Sequence, residues 1–147
     1  AMAVDSDLKA ALPVPRFVSL AADEINVRTG PGMRYPIRIV IRKEGLPVEI
    51  VREFDVWRQI RDMEGHQGWV HKSMLSGERS VIIVGTLQSL LKKPQPDARP
   101  VAKLEPGVIA ALKTCSETWC LLDAGGYDGW IKRDSVWGVY PDEKFKE

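Results

Sequence analysis

The sequence predicts an all-β protein: two tandem small β-barrels packed against each other. Three observations lead there. Apolar and polar residues alternate over short stretches, as in Ile37, Ile39 and Ile41 against Arg38, Val40 and Arg42, which is the period of a half-buried strand. Turn residues recur between these stretches, and no stretch carries an amphipathic helix of three turns. The second half of the chain also repeats the order of the first, and a repeat of this kind outweighs any single-strand assignment.

The elements follow in order. Residues 1–15 are Ala- and Pro-rich, end in "ALPVP", and read as a flexible lead-in. The first barrel is expected over residues 16–80. It opens with the apolar run "FVSLAA", followed by "INVRTGPGMRYP", which starts as a strand and becomes a Gly/Pro loop. "IRIVIRKE", "PVEIVREF", "VWRQIRDM" and "QGWVHKSML" supply the remaining strands, with "KEGLP" and "EG" as turns. The second barrel is expected over 81–141, from "VIIVGTLQSLL" through "KKPQPDARP" to "WIKRDSVW", with residues 142–147 as a tail. The pairs Val27/Leu91, Pro36/Pro100, Val48/Val108, Trp57/Trp119, Trp69/Trp130 and Leu75/Val136 align the two copies at a nearly constant offset. Each copy is close to the size at which one core is marginal, so packing between the copies is an expected source of stability.

In both copies a tryptophan opens a strand, a turn follows, and a Gly-Trp pair begins the return strand. Gly68 and Gly129 stand where close backbone approach is useful, and Ile60, Val70, Leu122 and Ile131 are the expected inward residues. The five tryptophans are expected at the barrel surfaces, at their ends, or in the seam between units.

Composition excludes several classes. Hydrophobic content of 44% and charged content of 28% mark a globular chain. A formal charge of +1 gives no pull toward nucleic acid or anionic lipid, which leaves single-stranded nucleic-acid binding through stacked aromatics as a remote third reading. No apolar run approaches the ~20 residues that cross a bilayer. The start "AMA" reads as a cloning scar joined to a trimmed end, as a removed signal peptide would leave. Two cysteines and the distant His66 and His71 lack zinc spacing, so neither a metal nor a cofactor is expected. No Gly-x-Ser-x-Gly elbow, phosphate-cradling loop or Cys-His pair within one unit is present, so no enzyme activity is expected. Cys115 and Cys120 flank "SETW" without redox spacing. Two buried thiols or a hairpin-closing disulfide would fit, and the disulfide fits an exported protein, where it contributes roughly 2 kcal/mol.

The motif residues Asn26, Val27, Arg28, Gly30 and Pro31, then Trp57 and Ile60, then Gly68, Trp69 and Val70, resemble the bacterial Src-homology-3-like (SH3b) family. The second copy departs from the pattern, with "SLLKKPQP" in place of the Gly/Pro loop. Its end, "GWIKRDSVWGVYPDE", is similar to a tandem subtype of exported alphaproteobacterial proteins. The resemblance implies a five-to-seven-stranded, partly open barrel per unit, a periplasmic or secreted location, and non-catalytic binding of a peptide or a peptidoglycan-related ligand. The alternative is an assembly or spacer module that takes an envelope protein partner and no small ligand. The resemblance also implies that Trp57 faces a groove, with His71 lining it.

The expected binding surface is therefore a groove in the first unit bordered by Arg28, Arg34, Tyr35, an exposed Trp57, His71 and Met74. Arg and aromatic side chains together suit a carboxylate-bearing peptide. The second unit is expected to bind less well. Lys92, Lys93 and Arg99 stand where the first has Arg28, Thr29 and Tyr35, and Ser135 replaces Met74.

Overall fold

The computed structural model describes residues 12–147, and the expected lead-in falls outside the described residues up to position 11. Seven strands build the first unit: β1 (Arg16–Leu20), β2 (Ile25–Arg28), β3 (Ile37–Ile41), β4 (Pro47–Phe54), β5 (Trp57–Arg61), β6 (Gln67–His71) and β7 (Leu75–Ser76). Eight build the second: β8 (Ser80–Ile83), β9 (Gln88–Leu91), β10 (Pro100–Leu104), β11 (Ile109–Cys115), β12 (Trp119–Ala124), β13 (Tyr127–Lys132), β14 (Val136–Trp137) and β15 (Phe145–Lys146). The first sheet runs β3-β2-β6-β5-β4-β1-β7. The second runs β10-β9-β13-β12-β11-β8-β14, the same order element for element, with β15 added to β11. Single 3-10 turns, Lys72–Met74 and Arg133–Ser135, precede the last strand of each repeat.

Alternation along the strands fills two separate cores. Val18, Leu20, Ile25, Val48, Ile50, Ile60 and Val70 close the first. Val81, Ile83, Leu90, Leu112, Leu122, Ile131 and Val136 close the second. Each fully buried aliphatic side chain contributes about 1.5–3 kcal/mol. Ile60, Val70, Leu122 and Ile131 point inward as the alternation requires. The β3 pattern is different. Ile39 and Ile41 share a face with Val27 and Ile25, yet Ile37 and Ile39 are exposed and only Ile41 packs against the core. As the edge strand, β3 overhangs a core that ends beneath β2.

Register corrects the alignment of the repeats at three places. Trp69 faces Arg28 and Trp130 faces Leu91, so Leu91 replaces Arg28, not Val27. The loop bonds Thr29 N–H to Pro36 O and Lys92 N–H to Arg99 O place Arg99, not Pro100, at Pro36, and Ala98 at Tyr35. Val48 pairs with Val18 and Ala110 with Val81, so Ala110, not Val108, is its counterpart. The tryptophan pairs keep their match: Trp57 faces His71 as Trp119 faces Lys132.

The unit boundaries shift slightly. Ser80 opens the second unit, since it pairs with Ala111. Residues 142–147 are not a free tail, because Phe145 and Lys146 pair with Cys115 and Thr114. Cys115 and Cys120, directly opposed on β11 and β12, form a disulfide inside the second core. The corresponding opposed pair in the first unit is Glu53 and Arg58, an ion pair at 3.6 Å.

A short C-terminal strap, residues 138–147, joins the units. Phe17 meets the Trp137 ring edge-on at 5.0 Å and the Tyr140 ring at 4.5 Å. The Tyr140 hydroxyl donates to Glu49 Oε2 at 2.6 Å, and Arg61 donates twice to Oε1 of the same carboxylate. Burial, and then the bond to Glu49, push the Tyr140 phenol well above its ordinary value, so it remains a donor. Arg79 holds Glu143 through two bonds of 2.7 and 2.9 Å, which keep that carboxyl below its ordinary value. Ser80 Oγ donates to Gly45 O at 2.6 Å, and Lys43 Nζ to Gly107 O at 3.1 Å, closing the seam elsewhere.

Gly68 and Gly129 are fixed by packing rather than by φ. A Cβ on Gly68 would lie 2.3 Å from Val27 Cγ1, and one on Gly129 would lie 2.5 Å from Leu90 Cγ. Gly68→Ala and Gly129→Ala should each lower unfolding free energy by roughly 1–3 kcal/mol, as overpacking does, whereas Gly77→Ala, in open space, should change it by less than about 0.5 kcal/mol. Urea denaturation separates the cases, and equal effects at all three sites would refute the close-approach account.

Candidate functional site

The loop between β2 and β3 is built around Gly30. A Cβ there would fall 2.5 Å from the Tyr35 ring, so the ring lies flat on the Gly30 backbone. Gly32 N–H bonds Gly30 O, Tyr35 N–H bonds Gly32 O, and Thr29 N–H closes the loop on Pro36 O. Arg28, the last residue of β2, donates from Nη1 to Met33 O at 3.1 Å and to Tyr35 O at 2.9 Å. These two carbonyls fix the guanidinium at the loop's inner rim and leave its other N–H groups free to donate.

A cleft of about 270 Å³ opens between this loop and the β5–β6 hairpin, lined by Glu24, Asn26, Arg28, Met33, Trp57, His71 and Met74. Of the six residues expected from sequence, Arg28, Trp57, His71 and Met74 meet here. Arg34 and Tyr35 do not. Arg34 Nη2 donates to the Tyr35 hydroxyl at 3.0 Å and its guanidinium lies 5.0 Å from the Tyr35 ring, so the two brace each other outside the cleft. Three lining residues were missed. Glu24 and Asn26 share one face with Arg28 by simple alternation along β2, a signal present in the sequence. Met33 reaches the cleft because Arg28 binds its carbonyl, which no local pattern reveals.

Trp57 is not the exposed platform expected. Only 8% of it is accessible, and the His71 ring stands edge-on at 5.7 Å. It forms a buried floor with one edge in the cleft. His71 Nδ1 accepts the Ser73 N–H at 3.1 Å, capping the 3-10 turn, with Ser73 Oγ at 2.8 Å. The neutral ring therefore carries its proton on Nε2. The Nδ1 lone pair is committed to a backbone N–H, so the Ser73–His71 contact is a local cap and not an activated nucleophile.

The arrangement offers one oriented guanidinium and an amide on β2, the Glu24 carboxylate just before it, an imidazole N–H, and an apolar lining of Trp57, Met33 and Met74. It suits an extended ligand with a carboxylate, amide groups and short apolar side chains. The second unit changes each polar part. Leu91 stands at Arg28, Lys132 at His71 and Ser135 at Met74, and Lys132 Nζ covers the Trp119 ring at 5.5 Å.

A family model described as a bacterial SH3 domain matches residues 21–77 and, again, residues 84–138. The chain belongs to the bacterial SH3 domain family. One match falls on each sheet, so these are tandem bacterial SH3 domains. The chain is similar, at 27% identity over 128 residues, to YrvJ of Bacillus subtilis (strain 168), a protein provisionally named as an N-acetylmuramoyl-L-alanine amidase. That match covers 80% of this chain and 24% of the relative, so the chain spans about a quarter of the relative's length. Among solved structures, NlpC2 from Trichomonas vaginalis overlays with a TM-score of 0.39 at 12% identity, over 86% of this chain and 49% of that one. NlpC1 from the same organism overlays at 0.37 and 14% identity, over 86% and 46%.

The buried floor makes a stability prediction. Trp57→Ala should cost roughly 3 kcal/mol of unfolding free energy, the scale of a buried aromatic truncation, and the more accessible Trp119 distinctly less when changed the same way. Chemical denaturation of both variants tests this, and a Trp57→Ala protein as stable as the parent would contradict the burial described.

Proposed function

We propose that the tandem domains form a non-catalytic, extracytoplasmic binding module, and that the first domain takes a peptide or peptidoglycan-related ligand in the cleft floored by Trp57. The observation that carries this reading is Arg28. Its guanidinium is pinned by the Met33 and Tyr35 carbonyls beside an apolar floor, and the second domain has Leu91 at that place. A fixed guanidinium next to apolar surface recognises a carboxylate with little entropic cost on binding. The similarity to YrvJ supports a ligand containing the N-acetylmuramoyl-L-alanine linkage that this relative's name describes. The Cys115–Cys120 disulfide suits an oxidising compartment, and among the described residues no helix is long and apolar enough to cross a membrane.

The interlocked seam favours a second reading, in which the pair is a rigid spacer that positions a partner protein in the envelope. Calorimetry with a soluble N-acetylmuramoyl-L-alanyl peptide discriminates between them. The parent chain should bind it. Arg28→Leu, which copies the second domain, should weaken binding roughly ten-fold, the value of a hydrogen-bonded charge. Met33→Ala, at a side chain that is 72% exposed and free of folding duties, should weaken it several-fold. Binding unchanged in both variants would remove the cleft assignment, and no binding by the parent would favour the spacer.

A further inference from the structure

A second cleft of about 230 Å³ on the first domain shares no residue with the Trp57 cleft. Its floor is Val18, Ile50 and Leu75, Arg16, Arg58 and Lys72 stand around it, and Leu12 borders it from the segment ahead of β1. Charge at this rim is unbalanced. Glu53 serves both Arg16, at 2.6 Å, and Arg58, at 3.6 Å, while Lys72 is exposed and has no carboxylate partner among the described residues. One carboxylate therefore stands against three cations above an apolar floor, with Arg16 also donating to the Leu12 and Pro13 carbonyls and Arg58 to those of Asp55 and Trp57.

The second domain shows what such a place holds. By register, Arg79, Leu112 and Val136 correspond to Arg16, Ile50 and Leu75, and Arg133 opens its 3-10 turn as Lys72 does. There the site is filled by the chain's own C-terminal strap. Arg79 takes the Glu143 carboxylate through two bonds, Arg133 donates to the Tyr140 carbonyl, and Phe145 packs against the core with Arg79 5.0 Å over its ring. Phe145 and Lys146 also pair with β11, and Thr114 Oγ1 donates to Phe145 O at 2.7 Å. Among the described residues no strap follows the first domain, because the chain passes from β7 to β8 within three residues, and only Leu12 and Pro13, ahead of β1, reach the rim of its cleft, where their carbonyls accept from Arg16.

We infer that the Arg16–Arg58–Lys72 cleft of the first domain is a second docking site, and that its occupant is an extended peptide segment bearing a carboxylate beside an aromatic residue, seated as the strap is seated on the second domain. The carboxylate lies between Arg16 and Lys72, and the apolar side chain covers Val18, Ile50 and Leu75. This surface stands independently of the Trp57 cleft.

The probe is a synthetic nonapeptide with the strap sequence of residues 139–147, titrated into the full ¹⁵N-labelled chain. Saturable shifts are expected at the amides of Arg16, Leu75 and Gly77. A peptide carrying Glu143→Gln should bind roughly ten-fold more weakly. Arg16→Gln in the chain should weaken binding similarly, and Lys72→Glu, at an exposed position that leaves folding intact, should weaken it several-fold. Absence of shifts at Arg16, Leu75 and Gly77 at millimolar peptide, shifts confined to residues 110–116 through exchange with the resident strap, or equal binding by the Gln peptide would each overturn the assignment.

Discussion

Glu49 is the residue on which the two-domain arrangement depends. Its carboxylate is buried in β4, and a charge in that position is tolerated only when it is paired and its remaining lone pairs are bonded. Arg61 supplies two bonds from the same sheet, and the Tyr140 hydroxyl supplies the third from the far end of the chain. Satisfying Glu49 therefore requires the strap to dock. Once docked, the strap brings Tyr140 onto Phe17, Glu143 onto Arg79, and Phe145 alongside the Cys115–Cys120 disulfide. One buried carboxylate thus couples the seam, the second core and the course of the C-terminal residues.

That coupling divides the roles of two nearly identical folds. The second domain carries a disulfide where the first has the Glu53–Arg58 ion pair, and its strap fills the surface that on the first is a cleft among the described residues. Its loop also lacks the arginine that organises the Trp57 cleft. The disulfide and the strap close the second domain, and Leu91 at the place of Arg28 leaves the oriented guanidinium on the first. The first domain's clefts are then held against a fixed neighbour, which suits a binding surface that must not rearrange to accept its ligand.

Much of this was legible in the sequence, because it depends on local periodicity and on the repeat. The all-β class, the Trp57/Trp119 and Trp69/Trp130 matches, and the close approach at Gly68 and Gly129 all follow from residues a few positions apart. Glu24 and Asn26 were legible too, since alternation along β2 places them beside Arg28. Other features depend on distance along the chain. Glu49 and Tyr140 meet across 91 residues, and no period links them. Tyr35 left the expected groove because its ring packs on Gly30, a contact set by loop closure. The slips in aligning Val27, Pro36 and Val48 arose where apolar residues recur at neighbouring positions, so composition matched while register did not. Trp57 was misplaced in depth rather than position: the His71 ring covers it from the next strand.

The claim that the strap locks both domains into one body is tested most directly by ¹⁵N relaxation on the full chain. Residues of β1–β7 and of β8–β15 should report a single rotational correlation time, that of one compact body formed by the two domains. Two distinct, shorter correlation times would show the domains tumbling independently, and would contradict the seam built on Glu49 and Tyr140.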